Sequence, residues 1–373
     1  MSANQNVDIN HTEIQHKGGR NGESIAGTPP SPVKLWAGIG AIILGIFAWT
    51  LFQWITSPYF KPAPVGNDPI TPMTLMLVHI TDIFCGVFSL GFLYWFIVKP
   101  WRKQGELTWD GMLAIVFVTE WVLDPICNYF NFTFSYNAHF INMGSWASFL
   151  PGWQSPGMEN FPEPLLLMGG IYLWWTTINV LAAGWLMKRL RVWMPQYSIF
   201  VHVPIAYAAI VVLDMVLELP AVWLGLFAYP GAPTWATLWA GQPQQFPIYE
   251  TLFMNFNYIS IAILRHYRDD KGLSMVERGV DKITPSKPKQ KFLRFLAVAG
   301  FVNTSYFITY FMPYNWMAMQ ADTFPAYKSY MRYGACGQGT PYACPSREVP
   351  IPSKKSLAIA PDDLRLSAEA RRN

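Results

Sequence analysis

The sequence predicts an all-α protein, a polytopic bundle of about seven transmembrane helices. Three observations point there. Hydrophobic residues make up 52% of the chain and charged ones only 13%, far from the balance of a soluble domain. Apolar runs recur, each long enough to cross a hydrocarbon core of ~30 Å as a helix. Lysine and arginine concentrate in alternate connections between those runs. A mean hydropathy of +0.18 is no objection, because polar ends dilute a strongly apolar middle. The net charge of +4 is small and no basic run alternates with aromatics, which excludes nucleic acid as an expected partner. Membrane lipids are the expected surroundings.

Residues 1–31 are rich in Asn, Gln, Gly and Ser. They cannot bury a core and read as a disordered cytoplasmic tail, not a secretory signal. The bundle is expected over residues 32–315. Its first span begins at Lys34-Leu35-Trp36 and ends near Ile55, and further runs lie at about 73–98, 110–130, 164–187, 197–226, 247–264 and 292–312. Lys99, Arg102 and Lys103 follow the second run, and Lys188, Arg189 and Arg191 the fourth. Arg265, Arg268, Lys271, Arg278, Lys282, Lys287 and Lys289 follow the sixth, while residues 131–163 and 227–246 contain no Lys or Arg. The alternation predicts a cytoplasmic N-terminus, an outside C-terminus and a multi-pass protein of the cell membrane.

Residues 316–373 are then an extracytoplasmic tail. Its Cys336 and Cys344 would sit in an oxidising compartment, where a disulfide persists. A two-cysteine metal site would lack a second CxxC or a nearby histidine. Cys85 and Cys127 fall inside spans, where a thiol behaves as a small hydrophobe.

The chemistry is expected where charge enters the apolar runs. Glu120 and Asp124 stand four residues apart in Glu120-Trp121-Val122-Leu123-Asp124-Pro125, and Asp214 and Glu218 repeat the spacing before Pro220. On an α-helix such pairs lie about 40° apart on one face. Carboxylates in hydrocarbon are costly, so their default reading is functional. With Asp82 and Glu250 they make six acids in the outer halves of their spans. Asn128, His79, Trp121, Asn257 seven residues beyond Glu250 on its face, and Tyr207 one or two turns deeper are expected to bind substrate. Tyr129, Phe130, Met215, Trp223 and Tyr249 could line the same cavity, or serve simply as packing and interfacial-belt residues. For the acids the plainer alternative is interhelical hydrogen bonding or an ion path.

Carboxyl groups sharing an apolar pocket cannot all ionise. Some keep a proton and act as general acids while partners steady a developing cation. That suits protonation of a carbonyl, hydroxyl or alkene followed by cyclisation or loss of water. No GxSxG, HExxH or GxxxxGK[ST] motif is present, so acyl transfer, zinc hydrolysis and phosphate chemistry find no support. Nor do the histidines show ligand spacing, and the seventh run has no lysine for a retinal Schiff base. No metal and no cofactor is expected.

Pro58-Tyr59-Phe60, Tyr94-Trp95-Phe96, Pro100-Trp101-Arg102, Asp124-Pro125, Gly144-Ser145-Trp146 and Pro151-Gly152-Trp153 together resemble the AveC-type spirocyclase family of actinobacterial membrane proteins. The segment from Arg265-His266-Tyr267-Arg268 to Asp281-Lys282 is the most particular part of the likeness, which runs over about residues 33–350 and includes the Cys336–Cys344 loop. The resemblance implies closure of a dihydroxyketone polyketide into a spiroketal, with dehydration as a further step. It supplies no catalytic motif to carry over. A lipophilic polyketide- or terpenoid-like substrate is therefore expected, and a proton-coupled transporter or lipid carrier using the same acids is the alternative. The oligomeric state is not encoded in any feature of the sequence.

Overall fold

Ser–Pro and Thr–Pro pairs set where the first helices start. In the computed structural model, which describes residues 31–153 and 157–333, Ser31 precedes α1 (Pro32–Ile55) and Thr71 precedes α2 (Pro72–Gln104). Proline suits a first helical position because its φ is already helical and its missing N–H would have no partner there. The Thr71 hydroxyl accepts from the Thr74 N–H at 3.1 Å, and Thr108 caps α3 (Trp109–Glu120) by accepting from Gly111 N–H at 3.0 Å. The chain continues through α4 (Leu165–Trp193), α5 (Ile199–Trp223), α6 (Ile248–His266) and α7 (Lys287–Ala318). Helices α2, α4 and α7 each contain a π turn, at Tyr94–Val98, Ile171–Trp175 and Phe307–Phe311.

Every predicted apolar run is thus helical, and the protein is an all-α membrane bundle. Helices α1, α2, α4, α5 and α7 are long and apolar enough to cross a membrane. The other two are more polar or shorter for a physical reason. Helix α6 packs against α4, α5 and α7, and α3 against α4 and α7, so neither has to be apolar on every face. Helix α6 can therefore carry Glu250, Asn255 and Asn257, all buried. Helices α1 and α7 cross in close contact at Gly40 and Gly300. A Cβ on Gly40 would lie 2.0 Å from Leu296 O, and one on Gly300 would lie 2.2 Å from Trp36 O. Only glycine permits that approach.

The third run departs from the expected helix. It is α-helical to Glu120, then becomes a 3₁₀ helix over Trp121–Asn128. Pro125 cannot donate an N–H to Trp121 O and its ring crowds that carbonyl. Four residues of 3₁₀ helix turn the side chain by about 120° from its starting face, so Glu120 and Asp124 do not share a face. Helix α5, by contrast, remains α-helical through Pro204 and Pro220.

The connections at one end form a cap. Strands β1 (Ser135–Tyr136) and β2 (Phe227–Ala228) pair antiparallel, as do β3 (Thr237–Leu238) and β4 (Phe246–Pro247). Ala63 N–H donates to Asn142 Oδ1 at 2.8 Å, Asp68 N–H to Ser329 Oγ at 2.9 Å, and Ser135 Oγ to Met331 O. At the other end Arg265 grips Asp110 with two bonds of 2.8 and 2.6 Å. There the buried Glu277 accepts from Trp109, Ser274 and Arg294. Cys85 and Cys127 are free and buried. The expected polar tail, up to residue 30, and the Cys336–Cys344 loop lie outside the described residues.

Candidate active site

The 3₁₀ turn that separates Asp124 from Glu120 aims Asp124 at two phenols. Tyr136, on β1, donates to its Oδ2 at 2.8 Å, and Tyr172, in the π turn of α4, donates to its Oδ1 at 2.7 Å. The Tyr172 hydroxyl also meets that of Tyr306 at 2.7 Å. Tyr306 stacks on Tyr310, one helical turn on, with centroids 5.1 Å apart. Both oxygens of Asp124 are therefore satisfied by neutral donors.

Three further acids gather where α5 faces α6. Asp214 accepts from Trp175 Nε1 at 3.1 Å and from Asn255 Nδ2 at 2.9 Å. Glu250 accepts from Tyr310 at 3.0 Å, and Glu218 from Tyr229 and Thr251. The carboxyl groups of Glu218 and Glu250 also face each other at close range, and two buried carboxyl groups so near favour one proton between them. Oxygens of Asp214, Glu218 and Glu250 lie within 4.8 Å of one another, close enough to hold a cation. Four of their six oxygens nevertheless already accept from separate protein donors, and the other two share the Thr251 hydroxyl. The arrangement is first of all a proton-holding one.

One cavity of about 270 Å³ joins the two groups. Asp124, Asp214, Glu218 and Glu250 line it, with Tyr136, Tyr172, Tyr258, Tyr310 and Trp175 among the other polar groups near the acids. Leu167, Met168, Ile171, Ala221 and Met254 are among its apolar walls. Phe84 on α2 and Leu217 on α5 also line it and are 54% and 51% exposed. Those two helices pack on other partners, α2 on α4 and α5 on α4 and α6. The cavity thus reaches the side of the bundle as well as its interior.

The remaining expected site residues lie elsewhere. Glu120 is buried, accepting from Asn257 Nδ2 at 3.0 Å through one oxygen only. Asp82 accepts from Ile141 N–H at 2.9 Å and ties α2 to the cap. Asn128 closes a loop by accepting from Thr133 and Phe134 N–H, both at 2.9 Å. The Tyr207 hydroxyl donates to Leu252 O at 2.9 Å. His79 is exposed, and Trp121 donates to Glu163 Oε2 at 3.0 Å. None of these lines the cavity that holds the four acids. The aromatics expected near it are placed differently too. Tyr129 and Phe130 border a separate apolar cleft beside α1 and α7, and Trp223 a recess in the cap. Met215 packs on the core and Tyr249 against Phe253 and Tyr314.

Glu163 was not singled out by the sequence, although it is fully buried between Pro162 and Pro164. Burial first, and then the charge of Asp124, pushes its carboxyl well above the ordinary value of 4.5. Its Oε1 has no partner among the described residues. The tyrosine donors were also missed; Tyr306 and Tyr310, spaced by four in the last helix, were the available signal.

A family model described as Spirocyclase AveC-like matches residues 104–332. The match takes in α3 to α7, the 3₁₀ turn, all four cavity acids and their tyrosine donors. No curated protein and no solved structure matches the chain. Since the family model covers more than half of the 373 residues, the chain belongs to the AveC-like spirocyclase family.

Proposed function

We propose that this membrane protein is an acid–base enzyme that cyclises a lipophilic dihydroxyketone, giving a spiroketal and water. One observation supports the reading above the others. Four carboxyl groups from three separate helical segments meet in one largely apolar cavity, each held by neutral donors. A purely structural acid needs a partner but not a shared cavity.

The proposed chemistry divides the acids by their hydrogen bonds. The proton shared by Glu218 and Glu250 passes to the hydroxyl of a hemiketal, its C–O bond breaks, and water leaves. The resulting oxocarbenium ion is stabilised by Asp124, whose two oxygens are held by Tyr136 and Tyr172. The second substrate hydroxyl then adds to the cation and its proton returns to the ionised glutamate. Atoms and charge balance, and no co-reactant is required. Preorganised charge at the developing cation is the larger contributor to such a barrier, with proton transfer adding to it. Dehydration of the product follows the same logic, with Asp214 or Asp124 taking a proton from carbon. Apolar walls and a lateral opening suit a polyketide- or terpenoid-like substrate reaching the site from the cell membrane.

The test uses purified protein in detergent, without any ion gradient, and a synthetic dihydroxyketone. Mass spectrometry should find product lighter by one water, formed with stereochemical preference. Absence of product, together with proton-driven uptake of the same compound by proteoliposomes, would replace the enzyme by a carrier.

A further inference from the structure

The wall between the acid cavity and the cap carries a second functional residue. The cap recess has a volume of about 530 Å³ and includes Asp68, Gln244, Lys328 and Arg332 in its lining. Its character is polar, unlike that of the acid cavity. Phe227 is the residue that lines both spaces. The cavity that holds Asp124 and Glu218 therefore meets the polar recess at Phe227.

That ring is fixed in place. Phe227 pairs with Tyr136 across the β1–β2 ladder, and Tyr136 is the residue that donates to Asp124. Its ring packs at 5.6 Å from Phe134 and 6.1 Å from Tyr229, the donor to Glu218. Just before it, Asn137 binds Gly225 O at 2.9 Å through its side chain and Leu226 O at 3.0 Å through its N–H. Gly225 turns the chain at φ +72°, a conformation that favours glycine. The backbone is thus pinned on both sides of the ring.

We infer that Phe227 is the water barrier of the acid cavity and so decides whether the reacting cation is captured by the substrate's own hydroxyl or by water. An oxocarbenium ion reached by bulk water reverts through the hemiketal to the open dihydroxyketone, so a cyclase gains from a closed wall on this side. The lateral opening, by contrast, faces apolar surroundings. This significance rests on the proposed reaction, but the barrier itself can be measured without it.

Cys127 and Cys85 line the acid cavity and serve as native probes. In a Cys336→Ser/Cys344→Ser background, the full chain in nanodiscs is treated with a positively charged, membrane-impermeant methanethiosulfonate. Labelling is then mapped by peptide mass spectrometry. Cys127 should react slowly in the parent and at least about tenfold faster in Phe227→Ala, while Phe227→Leu behaves as the parent. Phe227→Val, a smaller strand former, decides the matter should the alanine variant lose the parent's thermal transition. Equal labelling of Cys127 in parent and folded variant, whether fast or slow in both, overturns the barrier. Intact labelling results without any cyclised product would instead leave the barrier standing and remove the reaction.

Discussion

Asp124→Asn separates structure from chemistry more cleanly than any other change at this site. The new amide has the same shape, and its oxygen still accepts from one of the two tyrosines. Its NH₂ then faces the other. A phenol can accept as well as donate, and Tyr172 has a second partner in Tyr306 at 2.7 Å. Tyr172 can therefore turn, accept from the amide and donate to Tyr306, leaving no buried group without a bond. A hydrogen bond to a charged group is worth ~1.5–3 kcal/mol and a neutral one ~1 kcal/mol. With two such bonds changed, the exchange costs about 1–4 kcal/mol of stability, which the melt below reads directly. Loss of a titrating or charge-stabilising group should cost about 10²–10⁴ in turnover, or roughly 3–5 kcal/mol of barrier. The assay pairs a thermal melt in detergent with conversion of a dihydroxyketone followed by mass spectrometry. Turnover within about threefold of the parent, in protein that melts normally, would refute a catalytic Asp124.

Three other outcomes are expected. Glu120→Gln should leave turnover nearly unchanged, because Glu120 meets Asn257 and not the cavity; a loss above about tenfold in folded protein contradicts the site as drawn. Glu163 holds its proton in the fold at pH values where the unfolded chain releases it, since burial raises it well above 4.5. That acid should make stability fall as pH rises through and beyond 4.5, and Glu163→Gln should flatten the slope in melts taken from pH 4 to 8; equal slopes would show that Glu163 ionises freely. Reporter fusions at residue 275, near the Glu277 cluster, and at residue 330, in the cap, should report opposite sides of the membrane. Reports from one side would overturn the up-and-down order of the spans.

Much of the bundle was legible because its information is local. Apolar length marked every helix, including α6 with its three buried polar residues. The acids divided according to what each depends on. Asp214 and Glu218 keep the i,i+4 relation because α5 stays helical past Pro220. Glu120 and Asp124 lose it because Pro125 sits directly after Asp124 and the chain tightens to 3₁₀. The proline was visible in the sequence, but not which of two responses the backbone would make. That choice depends on tertiary contacts, such as Trp146 Nε1 taking Val122 O at 2.9 Å. Glu163 and the tyrosines escaped for a related reason. Tyr136 reaches Asp124 only because β1 pairs with β2, an association of residues about ninety apart that no periodicity reports.

The electrostatic make-up of the cavity bears on the reaction class. No Lys, Arg or His lines it among the described residues; Arg265, Arg268 and Arg294 engage Asp110 and Glu277 at the far end. Acids paired with arginine would be held as carboxylates and would carry their countercharge with them. Acids held by phenols, an indole, an amide and one another keep their protons mobile and leave the positive charge to be supplied. A substrate that becomes cationic supplies it. The same site would repel an enolate or any other anionic intermediate, since four carboxyl groups already share about 270 Å³ and each added negative charge in such a medium is costly. Stabilisation of a cation is therefore the chemistry that this set of donors favours, and the Asp124→Asn measurement addresses that charge directly.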